Sequence, residues 1–281
     1  MTVMIDGRQT AAKIRNELAK KAEVLKNQGI TPCLAVILVG DDPASQVYVR
    51  NKKRAAEKIG IETKDLHLSA QIAQSELLEL IDSLNDDPSV HAILVQMPLP
   101  KHLDENEVIN AISPKKDADG LHPKNLGHLF MNEPQALPCT PRGIMVLLAE
   151  YDIGVAGKNV VIIGRSNLVG RPLAAMMINA DATVTVAHSK TKNLPEIAKN
   201  ADILVVATGR AEMVDQSYVK KGAAVIDVGI NRLPDNHLVG DVDQASVTGV
   251  AAYLTPVPGG VGPMTIAMLM QQTLELAEKS K

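Results

Sequence analysis

The chain has 281 residues, is 46% apolar and carries a net charge of −3. That length suits two domains or one large one, and that apolar content excludes intrinsic disorder. Both signs of charge are interspersed and aromatics are sparse, with no Trp, one Phe and four Tyr, so neither nucleic acid nor a membrane surface is an expected partner.

Asp6 is placed to cap a helix running to about Asn27, with Gly29 as its stop. CLAVILVG (Cys33 to Gly40) is a continuous apolar run of the kind found in buried parallel strands. A loop and a helix ending at Gly60 follow, then IETKDLHL as strand and QSELLELIDSLNDD as helix. HAILVQ (His91 to Gln96) is the next strand, stopped by the prolines of MPLP, and a short helix covers Asp104 to Ala111. From Ser113 to Pro141 the pattern breaks into a segment rich in Pro, Gly, Asp and Asn, read as irregular, with His122 and His128 as loop residues. A helix from Arg142 to Tyr151 leads to further strands at Val160–Ile163, Thr183–Ser189, Asp202–Thr208 and Ala223–Gly229. A Gly/Pro-rich stretch, Thr255 to Met264, precedes a last apolar helix, whose Met264, Met268 and Met270 read as core. Strands alternating with helices predict a mainly parallel sheet.

VVIIGRSNLVGRP (Val160 to Pro172) is a strand, a glycine turn and a helix start. Gly164 and Gly170 let backbone approach a phosphate, and the helix amino end favours an anion. It lacks the middle glycine of G-x-G-x-x-G, since Arg165 and Ser166 fill that space, so an ordinary strand-to-helix turn remains open on this stretch alone. The next strand ends in Ala187, His188, Ser189 and Lys190, where an NAD enzyme carries an acid about 20 residues past the turn. The lack of an acid, with Arg165, Ser189 and the basic His188 and Lys190 at hand, favours the 2′-phosphate of NADP over NAD.

Ligands of open α/β sheets bind beyond the carboxyl ends of the strands. There Tyr48 and Lys52 are four apart on a helix and share a face, which suits a lysine acting as acid or base. The same helix carries Arg50, Lys53, Arg54 and Lys58, so spacing alone leaves Lys52 readable as a surface lysine. Gln96 could orient a ligand or a lysine, or simply end a strand. Asp117 and Asp119 could bind a polar ring edge, but D-x-D-G is also an ordinary turn. No third ligand follows at metal spacing and the histidines form neither pair nor triad, so no metal is expected. Cys33 and Cys139 stand far apart outside any C-x-x-C and read as reduced thiols. No signal-peptide pattern opens the chain and no apolar run reaches about 18 residues, so the expected location is cytoplasmic.

Eight stretches in this order resemble the bifunctional methylenetetrahydrofolate dehydrogenase/methenyltetrahydrofolate cyclohydrolase family: SQVYVRNK, VQMPLP, PKKDADGLHPKN, PCTPRG, GRSNLVGRP, DVGIN, GDVD and TPVPGGVGPMT. The resemblance spans nearly the whole chain. It implies two α/β domains around a cleft, the second a Rossmann-like parallel-sheet dinucleotide-binding domain. Residues 1–140 with 263–281 would form the folate-binding catalytic domain and 141–262 the NADP domain. It also implies a homodimer.

The implied chemistry is oxidation of 5,10-methylenetetrahydrofolate with NADP and hydrolysis of the product to 10-formyltetrahydrofolate. Lys52 would assist water attack and ring opening, Gln96 would tune it, Tyr48 would pack on the folate and Asp119 would hold the pterin edge. Leu99, Pro258, Gly259, Gly260 and Val261 complete the implied substrate set. The implied cofactor set is Gly164, Arg165, Ser166, Val169, Gly170, His188, Ser189, Thr208, Gly229 and Ile230. His128, Lys124 and Arg142 depart from the family's usual residues, away from the proposed catalytic set. Two rival readings are another two-domain NADP-dependent dehydrogenase, which would not need Lys52, Gln96 and Asp119 together, and a nonenzymatic NADP sensor.

Overall fold

Apolar β-branched runs fold as strands covered on both faces, and two of them, CLAVILV and NVVII, lie inside two separate parallel sheets. The computed structural model describes residues 1–280. The chain divides into two units, one formed by residues 13–137 with the chain from 266 onward, the other by residues 1–12 and 138–265.

The first unit holds the sheet Glu62–Leu68, Cys33–Val39, Ala92–Val95, in that order and parallel throughout. The inner strand Cys33–Val39 and Ala92–Val95 are wholly buried, and Ile37, Val39, Ile93 and Val95 pack with Leu77 and Ile81 from helix Gln74–Asp86. Helix Pro43–Ile59 starts where the Asp42 carboxylate accepts the Ser45 N–H at 2.7 Å. It ends at Gly60, whose φ of 88° needs no side chain in the way. Residues 116–118 pair beside Ala92–Val95: the Ile93 N–H donates to the Lys116 carbonyl at 2.7 Å and the Ala118 N–H to the Ile93 carbonyl at 3.2 Å. From the closing helix, Val261–Glu278, the Gln272 amide donates to the Ala118 carbonyl at 2.9 Å and accepts the Leu137 N–H at 2.9 Å.

The stretch read as irregular contains a helix, Pro123–Phe130. His122 is its cap, accepting the Lys124 N–H at Nδ1, and His128 lies in its last turn, so neither is a loop residue. The buried Asn125 side chain anchors it to the Asp117 carboxylate and the Pro114 carbonyl. Eight residues with a central glycine are too short to show an apolar period, and Pro123 fits its first turn rather than ending it. The next helix begins at Cys139, ahead of the expected Arg142.

The second unit holds six parallel strands in the order Val3–Met4, Tyr253–Leu254, Ala224–Asp227, Ile203–Val206, Asn159–Ile163, Thr183–Ala187. The first twelve residues, expected in the folate domain, thus fall with the other unit: the Val3 N–H donates to the Ala252 carbonyl and the Ile5 N–H to the Leu254 carbonyl. An antiparallel ribbon pairs Asn231–Arg232 with Leu238–Val239.

At the end of strand Ala224–Asp227, Asp227 is 1% exposed and accepts the N–H groups of Gly229, Asp241 and Val242. Burial pushes its carboxyl up to about 6, the three N–H groups pull it down, and the Asp241 charge pushes it up again. The folded chain therefore binds this proton more tightly than the unfolded chain does. The group's stabilising contribution, up to about 3 kcal/mol, is complete below the ordinary carboxylate range and is lost as pH rises through about 6. Unfolding measured from about pH 4 to about pH 7 should show the parent losing stability relative to Asp227→Asn as pH rises. Parallel curves would contradict this.

Candidate active site

The carboxyl end of the first sheet gathers the candidate catalytic groups. Gln96 follows strand Ala92–Val95 directly, and its N–H donates to the Ile37 carbonyl of the neighbouring strand at 2.9 Å. Its side-chain Nε2 donates to the Met97 carbonyl at 2.7 Å, which turns Oε1 toward helix Pro43–Ile59. There Lys52 Nζ donates to that oxygen at 2.9 Å, with the lysine only 7% exposed. Tyr48, one helical turn earlier, is 37% exposed, and burial raises its hydroxyl above the usual tyrosine range, so it remains a neutral phenol.

The two carboxylates of Asp117–Ala118–Asp119 divide their work. Asp117 is buried and builds the turn: Oδ1 accepts the Gly120 and Leu121 N–H groups, and Oδ2 accepts the His122 N–H and Asn125 Nδ2. Asp119 is half-buried, and no hydrogen bond reaches its carboxylate among the described residues. Desolvation raises its pKa, the Lys52 charge lowers it and Asp117 raises it. An ammonium held by an amide, beside a carboxylate able to accept hydrogen bonds, can recognise a polar heterocycle and move a proton. Leu99 is 8% exposed and belongs to the core; its N–H donates to Glu105 Oε1 at 3.1 Å.

Pro258, Gly259 and Gly260 belong to the other unit, and Val261 opens the closing helix. Gly259 has φ 119° and its carbonyl accepts the Arg8 N–H at 3.1 Å; a Cβ on Gly7 would collide with the Gly260 carbonyl. This stretch is therefore fixed against the start of helix Gly7–Asn27, where Asp6 caps Gln9 at 3.0 Å as its position predicts.

At the carboxyl edge of the six-stranded sheet, Gly164 has φ 138° and a Cβ there would strike the Ala207 carbonyl. A Cβ on Gly170 would strike the Gly164 carbonyl. Both glycines are thus required by backbone packed on backbone, leaving a tight turn before helix Gly170–Asn179. Ser166 shapes the turn, its Oγ accepting the Val169 N–H and its carbonyl the Arg171 N–H. Arg165 and Ser166 are exposed above it. Beyond strand Thr183–Ala187, Ser189 and Lys190 are exposed, while His188 Nδ1 accepts the Lys190 N–H at 3.2 Å and is spent on its own turn. The run 187–192 holds no acid, which fits a ribose carrying a phosphate.

Thr208 lies just beyond strand Ile203–Val206, and Gly229 and Ile230 just beyond Ala224–Asp227. Ile230 is 47% exposed, whereas the Thr208 N–H is held by the Asp241 carboxylate. Sequence reasoning gave no role to Asp227 and Asp241, and spacing alone did not separate Asp117 from Asp119, which only the family resemblance singled out. A carboxylate buried by backbone donors carries no spacing signal. Lys124 and His128 sit on helix Pro123–Phe130 and Arg142 on helix Cys139–Glu150. Among the described residues no three His, Cys, Asp or Glu side chains are grouped as metal ligands.

Residues 5–119 match the family model for the tetrahydrofolate dehydrogenase/cyclohydrolase catalytic domain, and residues 138–281 match that for its NAD(P)-binding domain. A relative from Ligilactobacillus salivarius, the bifunctional protein FolD, is 62% identical over 280 residues, spanning 100% of this chain and 98% of its own. The crystal structure of the bifunctional FolD from Campylobacter jejuni superposes with a TM-score of 0.98 at 51% identity, covering 99% of each chain. FolD from Trypanosoma brucei, solved with NADP and an inhibitor, gives a TM-score of 0.95 at 40% identity over 99% of this chain and 98% of its own. With both halves matched in order and the relatives spanning its full length, the chain belongs to the tetrahydrofolate dehydrogenase/cyclohydrolase family.

Proposed function

We propose that this protein oxidises 5,10-methylenetetrahydrofolate to the methenyl form with NADP and hydrolyses that product to 10-formyltetrahydrofolate, with Lys52 as the proton-handling residue of the hydrolysis. The observation that carries the assignment is the nearly buried Lys52 ammonium on the Gln96 amide, beside an Asp119 carboxylate that has no hydrogen-bond donor among the described residues.

The two reactions make different demands. Loss of hydride from the methylene bridge is assisted by the folate's own nitrogen lone pair, so it needs alignment rather than an acid or base. The turn Gly164–Gly170, with Arg165 and Ser189 on the phosphates, would hold NADP, which would supply the hydride acceptor. Hydrolysis adds water to the bridging carbon, breaks its bond to N5, leaves N5 bearing hydrogen and releases one proton. Lys52 moves the proton between water and N5. Gln96 holds Nζ in place, Tyr48 packs against the folate, and Asp119 accepts the donors of the amino-pyrimidine edge.

The homodimer and the cytoplasmic location are part of this proposal. Thr183–Ala187 is an edge strand with Val186 37% exposed, and Ile178 is 54% exposed nearby in sequence, a combination that proteins usually cover. Cys33 and Cys139 are buried thiols, as suits a reducing compartment.

Lys52→Met keeps the side chain's bulk and removes its proton. Decay of added methenyltetrahydrofolate should slow by about 100-fold or more, while cofactor reduction from methylenetetrahydrofolate persists. Hydrolysis at the parent rate in a folded variant would refute the role of Lys52. Arg165→Ala should lower the ratio of kcat/KM for NADP to that for NAD by about tenfold, through loss of a charge-assisted phosphate contact. An unchanged ratio would assign the 2′-phosphate to other groups.

A further inference from the structure

Two carboxylates that neither reaction uses are buried under the cofactor edge of the six-stranded sheet. Asp241 is 0% exposed and Asp227 1%. Asp241 Oδ2 accepts the N–H groups of Thr208 and Gly209 at 2.6 and 2.9 Å, and Oδ1 accepts the Arg210 N–H and Asn231 Nδ2, each at 2.9 Å. Asp227 braces Asp241 from below: its Oδ1 accepts the Gly229 and Asp241 N–H groups at 2.9 Å and its Oδ2 the Val242 N–H at 3.0 Å. Asn231 Nδ2 also donates to the Gly240 carbonyl at 3.1 Å. A Cβ on Gly229 would run into the Asp241 carboxylate, and one on Gly240 into that of Asp227. The turns after two adjacent strands, Ile203–Val206 and Ala224–Asp227, are thus tied to one another through side chains.

Strand order says which half of the cofactor these turns meet. The phosphate turn follows Asn159–Ile163; Thr183–Ala187, which leads to Ser189, lies on one side of it, and Ile203–Val206 and Ala224–Asp227 lie on the other. A dinucleotide with its pyrophosphate at Gly164–Gly170 and its 2′-phosphate near Ser189 extends its nicotinamide half over Thr208–Arg210 and Gly229–Asn231. We propose that Asp241, braced by Asp227 and Asn231, is a positioning residue that sets the affinity for the nicotinamide half of NADP by holding those two turns in register. The inference rests on the NADP reading above. The carboxylate also occupies three successive N–H groups that would otherwise form an anion nest competing with the phosphate turn.

The test is calorimetric binding of NADP and of adenosine 2′,5′-bisphosphate, which carries the 2′-phosphate but lacks the nicotinamide half, to the full chain. The parent should bind both; binding of neither would overturn the NADP reading and this inference with it. In Asp241→Asn, one oxygen of the clasp becomes a donor facing backbone N–H groups. Its Kd for NADP should rise about tenfold or more, while that for the bisphosphate stays within about twofold. Asn231→Ala leaves the Asp241 carboxylate in place, removes the amide's bonds to Asp241 and to the Gly240 carbonyl, and should raise the NADP Kd about threefold with the same selectivity. If the parent binds both ligands and a folded variant binds NADP as the parent does, or loses both ligands equally, the positioning role is wrong while the NADP reading stands.

Discussion

One ammonium kept almost out of water is the constraint on which the catalytic unit depends. A lysine at 7% exposure loses most of its hydration and must be compensated by protein groups. Lys52 has the Gln96 carbonyl oxygen at hydrogen-bond distance and the Asp119 carboxylate near enough to interact with its charge. A neutral amide suits proton transfer better than a second carboxylate would. It holds Nζ without locking the proton there, because its attraction is dipolar rather than ionic. The surrounding structure serves that placement. Strand Ala92–Val95 ends at Gln96, the Asp42 cap starts the helix that carries Lys52, and the pairing of residues 116–118 with Ile93 delivers Asp119.

Buried carboxylates recur here as organisers rather than reactants. Asp117 collects three backbone N–H groups and one amide, Asp241 three and one, and Asp227 three. The backbone N–H groups they collect, at residues 120–122, 208–210, 229, 241 and 242, lie outside the strands, where the chain has left the ladder and has no strand partner for them. An aspartate fits there because its two oxygens accept several bonds in a small space. Loops that must present side chains to a ligand are thereby held as firmly as the sheet, which limits the reorganisation left to binding.

The sequence made much of this legible. The continuous apolar runs gave both inner strands, and the alternation of elements gave parallel sheets. The glycine turn at Gly164 was visible as two glycines between an apolar strand and a helix start, although the sequence read them as room for a phosphate and the structure shows backbone packed on backbone. The two-residue strands Val3–Met4 and Tyr253–Leu254 were not legible, since a pair of residues has no alternation to read, and their pairing moved the first twelve residues to the other unit. Helix Pro123–Phe130 was hidden by its Pro and Gly, which weigh against helix locally and are overruled by Asn125 bonding back to Asp117. Lys52 and Tyr48 could be placed on one helix face, but that the lysine is buried against Gln96 depends on a contact across 44 positions. That contact has no local sequence signal: the strand-end amide suggested only that it could orient a ligand or some lysine, and the family resemblance pointed to Lys52.

The central claim is that one chain carries both chemistries and prefers NADP. The most direct measurement supplies methylenetetrahydrofolate to the purified chain with NADP or NAD in parallel, follows cofactor reduction, and separately follows decay of added methenyltetrahydrofolate against its rate without protein. Faster reduction of NADP than of NAD, together with accelerated decay in the same preparation, is the expected result. Reduction without accelerated decay would leave a dehydrogenase alone and contradict the assignment of Lys52, and no reduction of either cofactor by folded protein would contradict the dehydrogenase itself.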